Sequence, residues 1–423
     1  DLHLSIRRQR QMCIRDSSYA GSRVSFVAGN IGTSNFAEAV ECEGFAWIKD
    51  QLIIDDDGGN HLNITDIQAD HFCIPLDTPL SDATHGEITH FGLVTVQMTC
   101  TNGEQGLGYT YTVGDIGTAS ILELLVSDLA PILLGRDARD FDGLWQDMWW
   151  RLHFVGRGGL ASFALAALDV ALWDVNARAR VVPLWRMLGG GEGRVPAYAG
   201  GIDLDFTHEQ LQAQTNGFIE QGFRAIKMKV GREQLSEDVG RVNAMREWVG
   251  PDMPLMVDAN MRWSVSEAIR AAHAFAEADL FWLEEPTIPD DVDGHAQIAR
   301  EGGIPIASGE NLHSVYEFRD LILKGGVSFP EPDAATLGGI TPWLRVAHLA
   351  AIQNLPVTSH GVHDLHVHLL GGIGNASYLE VHGFGLERFI ESPLRVVDGQ
   401  AIAPDRPGHG VVFDFDALKS LAP

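Results

Sequence analysis

Between residues 224 and 311 the chain repeats one local pattern, a short apolar run that ends in charged residues. The runs cover residues 225–230, 254–260, 280–286 and 304–311. Within them Asp258, Glu284 and Glu310 stand 26 residues apart in both steps. A strand–helix unit of an eightfold barrel takes roughly 30 residues, so this spacing predicts successive parallel strands with a carboxylate at the C-terminal end of each. The first run, Ala225-Ile226-Lys227-Met228-Lys229-Val230, alternates, which places both lysines on one face of a strand.

Parallel barrel strands all point the same way, and their C-terminal ends converge on one mouth, where barrel enzymes carry their sites. Three converging carboxylates repel one another unless a cation lies between them. A set of oxygen ligands with no Cys or His suits a hard ion, Mg2+ rather than Ca2+, with positions left for water or substrate. Taken singly, each carboxylate could equally cap the helix after its strand. Three in register, with a double lysine one unit earlier, favour the metal site.

Composition sets the outer limits. A chain of 423 residues suits two domains, one of them a large barrel. A net charge of −27 argues against nucleic acid or an anionic membrane surface as partner, and an anionic substrate then needs local positive charge from a metal and lysines. Cys13, Cys42, Cys73 and Cys100 show no C-x-x-C spacing, which predicts neither a zinc site nor a disulfide framework and points to a reducing cytoplasm. No run of 18 or more apolar residues occurs, so no membrane span is expected.

Residues 1–63 are expected to be an extension foreign to the fold, since the basic stretch around Arg7-Arg8-Gln9-Arg10 fits nothing downstream. Residues 64–188 read as an α+β capping domain. Strands are expected at 67–75, 90–99 and 106–111 with an Asn102-Gly103 hairpin, a polar mobile stretch at 79–87, and helices at 119–134, 142–150 and 160–179. Gly189-Gly190-Gly191 is the expected linker into a (β/α)8 barrel over 189–395. Its strands are placed at 195–199, 225–230, 255–257, 281–283, 304–307, 329–332, 356–359 and 378–381, with helices between them. The tail, 396–423, is expected to return to the capping domain.

The later strand ends also carry chemistry. Asp333 and His360 close two successive strands and are placed to hydrogen-bond, which would orient the imidazole and raise its pKa. His363, His366 and His368 are read as ordinary core residues. Lys227 and Lys229 should depress each other's pKa, leaving one neutral enough to act as a base. A base on the second strand and one on the seventh would reach a bound carboxylate from opposite faces, with a metal stabilising the enediolate.

These motifs, Lys-x-Lys at 227–229, Asp258-Ala259-Asn260, Trp282-Leu283-Glu284-Glu285-Pro286, Gly309-Glu310-Asn311, Pro332-Asp333-Ala334 and Ser359-His360, resemble the mandelate racemase subgroup of the enolase superfamily. The resemblance covers about residues 64–415 and implies the modified enolase-type barrel with its capping domain. It implies Mg2+ on Asp258, Glu284 and Glu310, Lys229 as one base, and the His360–Asp333 dyad as the other. It also implies Lys227 on the substrate carboxylate, Glu380 on the enediolate oxygen, and Asn260 and Asn311 beside the site. The local sequence is most similar to acid-sugar dehydratases of the talarate/galactarate type, implying a Mg2+-dependent hydro-lyase that yields a 2-keto-3-deoxy acid. A racemase or epimerase at the same site is the alternative, and a non-catalytic metal-binding barrel is an alternative of another class. The substrate is expected to be a small carboxylate, with Thr84, His85 and Arg157 reaching its far end, and the protein to be a homo-oligomer.

Overall fold

The computed structural model describes residues 62–421. The expected N-terminal extension lies outside the described residues except for Leu62, which is buried, and Asn63, which bridges Asp137. The chain then forms a three-stranded antiparallel sheet, β1 (Ile64–Asp82), β2 (Gly86–Cys100) and β3 (Gln105–Val113). The Asn102-Gly103 turn joins the last two, with Gly103 at φ 84 as such a turn requires. The stretch expected to be mobile, 79–87, is instead the paired tip of the first hairpin: Leu80 lies opposite Ile88 and Asp82 opposite Gly86. The reason is tertiary, because Ser81 bridges Asp203 of the barrel and its carbonyl accepts from the Leu204 amide at 3.1 Å.

Helix Leu160–Ala179 lies across β3 and fills the cap's core. It is the one helix among the described residues long and apolar enough to cross a bilayer, and 89% of its most apolar 18-residue stretch is buried here. Its apolar character serves close packing: a Cβ on Gly108 would run into the Ala167 carbonyl oxygen. Its two buried carboxylates tie the cap to its surroundings. Asp169 accepts the Thr341 amide at 2.8 Å, and Asp174 accepts the Leu107 and His409 amides, each at 2.9 Å.

The barrel strands follow as β4 (Arg194–Gly200), β5 (Ile226–Lys229), β6 (Leu255–Asp258), β7 (Trp282–Glu284), β8 (Ile306–Ser308), β9 (Phe329–Pro330) and β10 (Leu379–Val381). Each pairs in parallel with the next from β4 to β9, and β10 pairs in parallel with β4. The seventh place in the ring is held by residues 356–359, expected as a strand but reduced to a bridge between Val357 and Ala376 and a bond from the Thr358 amide to the Pro330 carbonyl at 3.0 Å. A hairpin of β11 (Arg395–Val397) and β12 (Gln400–Ile402) adds to β4, after which the tail reaches the cap through His409, whose Nε2 lies 2.7 Å from the Leu107 carbonyl.

The inward positions of the strands follow a rule. Tyr198, Met256, Trp282 and Ala307 pack into one apolar plug. Two residues beyond Met256 and Trp282 on the same inward face stand Asp258 and Glu284. The plug closes the bottom and leaves the charged ends to form a floor at the mouth.

Candidate active site at the barrel mouth

The floor is assembled from consecutive strand ends. Asp258 on β6, Glu284 on β7 and Glu310 just past β8 bring carboxylate oxygens within 4.8 Å of one another, the first two buried and Glu310 open to the cavity. Burial, with Asp258 and Glu380 nearby, pushes the Glu284 carboxyl up to about 8 despite Lys227. Burial likewise raises Glu310, whose Oε2 makes no hydrogen bond. Three crowded, buried oxygen donors of this kind fit a hard divalent cation, whose charge would relieve both penalties.

Lys227 is almost fully enclosed and contacts Glu284, with Glu380 Oε1 at 2.6 Å and Asp258 Oδ2 at 3.8 Å. Lys229 reaches Asp258 Oδ2 at 2.5 Å and also faces the open cavity. Lys227 does lower Lys229, as expected, yet the net effect leaves neither lysine depressed. Burial disfavours both ammonium groups, but Glu284 and Glu380 at Lys227, and Asp258 at Lys229, outweigh it and hold both above the ordinary lysine value. Opposite charges at contact prevail over a like charge farther off.

Across the floor His360 Nδ1 lies 3.2 Å from Asp333 Oδ2, as the sequence pairing anticipates, and its Nε2 lies 3.3 Å from Glu310 Oε2. Burial pulls this imidazole down, but Glu310 and Asp333 outweigh it and raise it to about 10. Glu380 on β10 is held well below the usual carboxylate range: burial opposes ionisation, and Lys227 and His382 more than compensate. Its Oε2 accepts the Gly361 amide at 3.1 Å.

Two family models match the chain. The one described as mandelate racemase/muconate lactonizing enzyme, N-terminal domain, covers residues 71–189, and the one described as enolase C-terminal domain-like covers 210–417. The chain belongs to the mandelate racemase branch of the enolase superfamily. A 3,6-anhydro-alpha-L-galactonate cycloisomerase of Streptomyces coelicolor is 51% identical over 84% of this chain and 98% of its own. The L-talarate/galactarate dehydratase of Salmonella typhimurium is 34% identical over 82% of this chain and 88% of its own. Among solved structures, a racemase from Streptomyces coelicolor with bound magnesium superposes with a TM-score of 0.83 at 50% identity, covering 85% of this chain and 100% of that one. The Salmonella dehydratase, liganded with Mg and L-lyxarohydroxamate, gives 0.82 at 32%, covering 85% and 93%.

In this enolase-superfamily barrel the floor is steadied by residues that the sequence did not single out. Tyr111 of β3 donates its hydroxyl to Asp333 Oδ2 at 2.7 Å, so the cap contributes to the dyad. His366, read as ordinary core, accepts the Ala334 amide at 2.9 Å while its Nδ1 meets the Gly361 carbonyl at 2.9 Å, pinning the loops that carry Asp333 and His360. His382, with Nε2 3.2 Å from Glu380 Oε2, also faces the cavity. Asn311 and Asn260, both expected beside the site, join this network: Asn311 donates to both oxygens of Glu285, at 2.9 and 3.0 Å, and Asn260 donates its backbone amide to Asp258 Oδ1 at 2.8 Å. Of Tyr111, His366 and His382, only His382, two positions after Glu380, carried a sequence signal for the site, the inward alternation of a strand.

Above the floor lies a cavity of about 430 Å³ lined by both domains. His85 lines it from the hairpin tip, paired with Asp82 at 2.8 Å. Thr84 instead hydrogen-bonds the Asn260 carbonyl from the same turn. Arg157 is not brought to the mouth. It lines a separate cavity with Trp145, Trp149 and Tyr316, because the glycine-rich turn at 156–159 carries its side chain toward helix Val315–Leu323.

Proposed function

We propose that this protein catalyses a Mg2+-dependent β-elimination on a sugar acid. The proton α to the carboxylate is removed, the oxygen on the β-carbon departs, and the resulting enol becomes a 2-keto-3-deoxy acid. The observation that carries this reading is the placement of two proton-transfer groups, Lys229 and His360, at the second and seventh places of one ring around three carboxylates.

Asp258, Glu284 and Glu310 would hold Mg2+, whose positive charge would stabilise the enediolate. Lys229, as the neutral amine once its ammonium proton has passed to solvent, takes the α-proton. His360, held as imidazolium by Glu310 and Asp333, gives its proton to the departing oxygen. Lys227 pairs with the substrate carboxylate, and Glu380 meets the enediolate oxygen. Residues 64–188 act as the cap and 189–395 as the catalytic barrel. Among the described residues Cys73 and Cys100 form no disulfide, which supports placing the enzyme in the cytoplasm.

In a 3,6-anhydro sugar acid the ring oxygen sits on the β-carbon, so its departure opens the ring without loss of atoms, and the reaction is an isomerisation. In an open-chain acid the same step expels water. Ring opening is the preferred reading, because the relative matched at 51% identity over 98% of its length is named for a 3,6-anhydro substrate. Dehydration, the outcome expected from sequence, is the second reading, favoured by the 34% identical dehydratase.

Incubation with Mg2+ and 3,6-anhydro-L-galactonate in D2O, followed by NMR, tests this. The expected product is a 2-keto-3-deoxy acid with deuterium at C3. Keto acid from open-chain acids alone would make the protein a dehydratase, α-deuteration without keto acid a racemase or epimerase. No exchange with any sugar acid would overturn the proposal.

A further inference from the structure

We propose that the cap end of the cavity selects monocarboxylates and rejects sugar acids with a second carboxylate at the far end, an inference that rests on the reading of the barrel floor above. Among the described residues lining the cavity, Lys229 is the sole Lys or Arg, and it belongs to the floor. The arginines that could have met a distal carboxylate point elsewhere: Arg157 lines the cavity beside Trp149, and Arg262 lines a surface cleft with Arg232 and Glu237.

The titratable groups the cap does present are already committed. The His85 imidazole is taken up by Asp82, whose Oδ2 lies 2.8 Å from its Nδ1 while Oδ1 accepts the His85 and Thr84 amides at 2.6 and 2.8 Å, so the ring faces a carboxylate of its own. His313 is lowered by burial, and its Nδ1 accepts the Gly159 amide at 3.0 Å. Of the cap's other polar lining residues, Tyr111 and Thr112 have their hydroxyls on Asp333 and Thr118, and Ile88, Phe91, Ile116, Leu160 and Phe163 make the rest of that side apolar. A carboxylate driven there would lose its water against hydrocarbon, with no donor fork in exchange and the Asp82 anion on the same wall. An uncharged end made of a methylene, a ring ether and one or two hydroxyls loses far less. The device is therefore exclusion by an absent cation more than attraction of the favoured substrate.

Affinity tests this without reliance on turnover. Calorimetric titration of the full-length, Mg2+-loaded protein with galactonate and with galactarate compares acids that differ only in the oxidation state of C6. Galactonate is expected to bind tighter by about tenfold or more. Equal or tighter binding of galactarate would overturn the inference. Leu160→Arg places a guanidinium at the rim, where the native side chain is 46% exposed and the fold is not at stake, and is expected to narrow the ratio several-fold. Ile116→Arg, at a position 77% exposed, repeats the test from another element. A wild-type preference that neither variant narrows would overturn the assignment to the cap. A preserved preference in a protein that turns over neither acid nor any anhydro acid would sink the β-elimination reading and leave this one standing.

Discussion

Lys227 and Lys229 are two residues apart on one strand and face one interior, yet their surroundings set them different work. Lys227 is enclosed by Glu284, Glu380 and Asp258 and stays a cation, suited to holding a substrate carboxylate. Lys229 has one carboxylate partner and an open side toward the cavity, which suits proton transfer. Lys229→Ala is expected to lower kcat by about 10²–10⁴-fold, the usual weight of a general base, and to abolish α-deuterium exchange. Mg2+-dependent thermal stabilisation should persist in the same variant, and unchanged exchange would remove Lys229 from the mechanism. At this scale the charged residues were legible because chemistry restricts what may end a buried strand. Tyr111 and His366 were not, because a tyrosine on a cap strand and a histidine on a helix bear no local mark of the carboxylate or amide they will meet.

At the scale of elements the barrel strands are short, three residues at β7 and β8 and two at β9, and each hands over quickly to the loop that carries function. After β6 and β7 the handover uses positive φ at non-glycine residues, Asn260 at 39, Met261 at 62 and Glu285 at 40, strain of the kind that gathers at functional sites. The cap depends on a different device, the glycine contact between β3 and helix Leu160–Ala179. Gly108→Ala is expected to cost about 1–3 kcal/mol in thermal or denaturant unfolding, because backbone must move to admit one methyl. Gly240→Ala, in the exposed middle of helix Leu235–Val249 with open space around it, should stabilise by about 0.5–1 kcal/mol. Similar effects from both substitutions would contradict the packing described. Strand positions followed from alternation and apolar runs, whereas the 79–87 hairpin tip did not, since its order comes from Ser81 and Asp203 meeting across 122 residues of sequence.

The whole molecule carries two linked equilibria. Burial lowers His368 to about 3 and also lowers His295 and His366, so these imidazoles are neutral when folded and regain an ordinary value of about 6.5 when unfolded. Below that value the unfolded chain binds the extra protons, and stability falls as pH drops, by about 1.4 kcal/mol per pH unit for each such histidine until its folded pKa is reached. The His368 contribution should therefore show as a difference: from pH 7 to pH 5 the wild-type unfolding midpoint is expected to fall relative to that of His368→Gln, and identical pH profiles in the two would contradict neutral burial of His368. Mg2+ acts in the other direction. At 100 times its Kd it should add about 2.7 kcal/mol of stability by mass action, lost on chelation with EDTA and sharply reduced in Glu284→Gln. An unaltered midpoint on chelation would remove the cation from the three carboxylates.

The sequence by itself determined the parallel barrel, the cap before it and the carboxylates, lysines and dyad at its mouth, because strand periodicity and the spacing of strand–helix units are local properties that show as regular intervals. Tertiary structure alone decided which of two adjacent lysines lines the open cavity, which cap residues steady the dyad, and that Arg157 points away from the cavity. These depend on side chains brought together from distant segments, and pairwise distances across a closed ring leave no periodic trace along the chain.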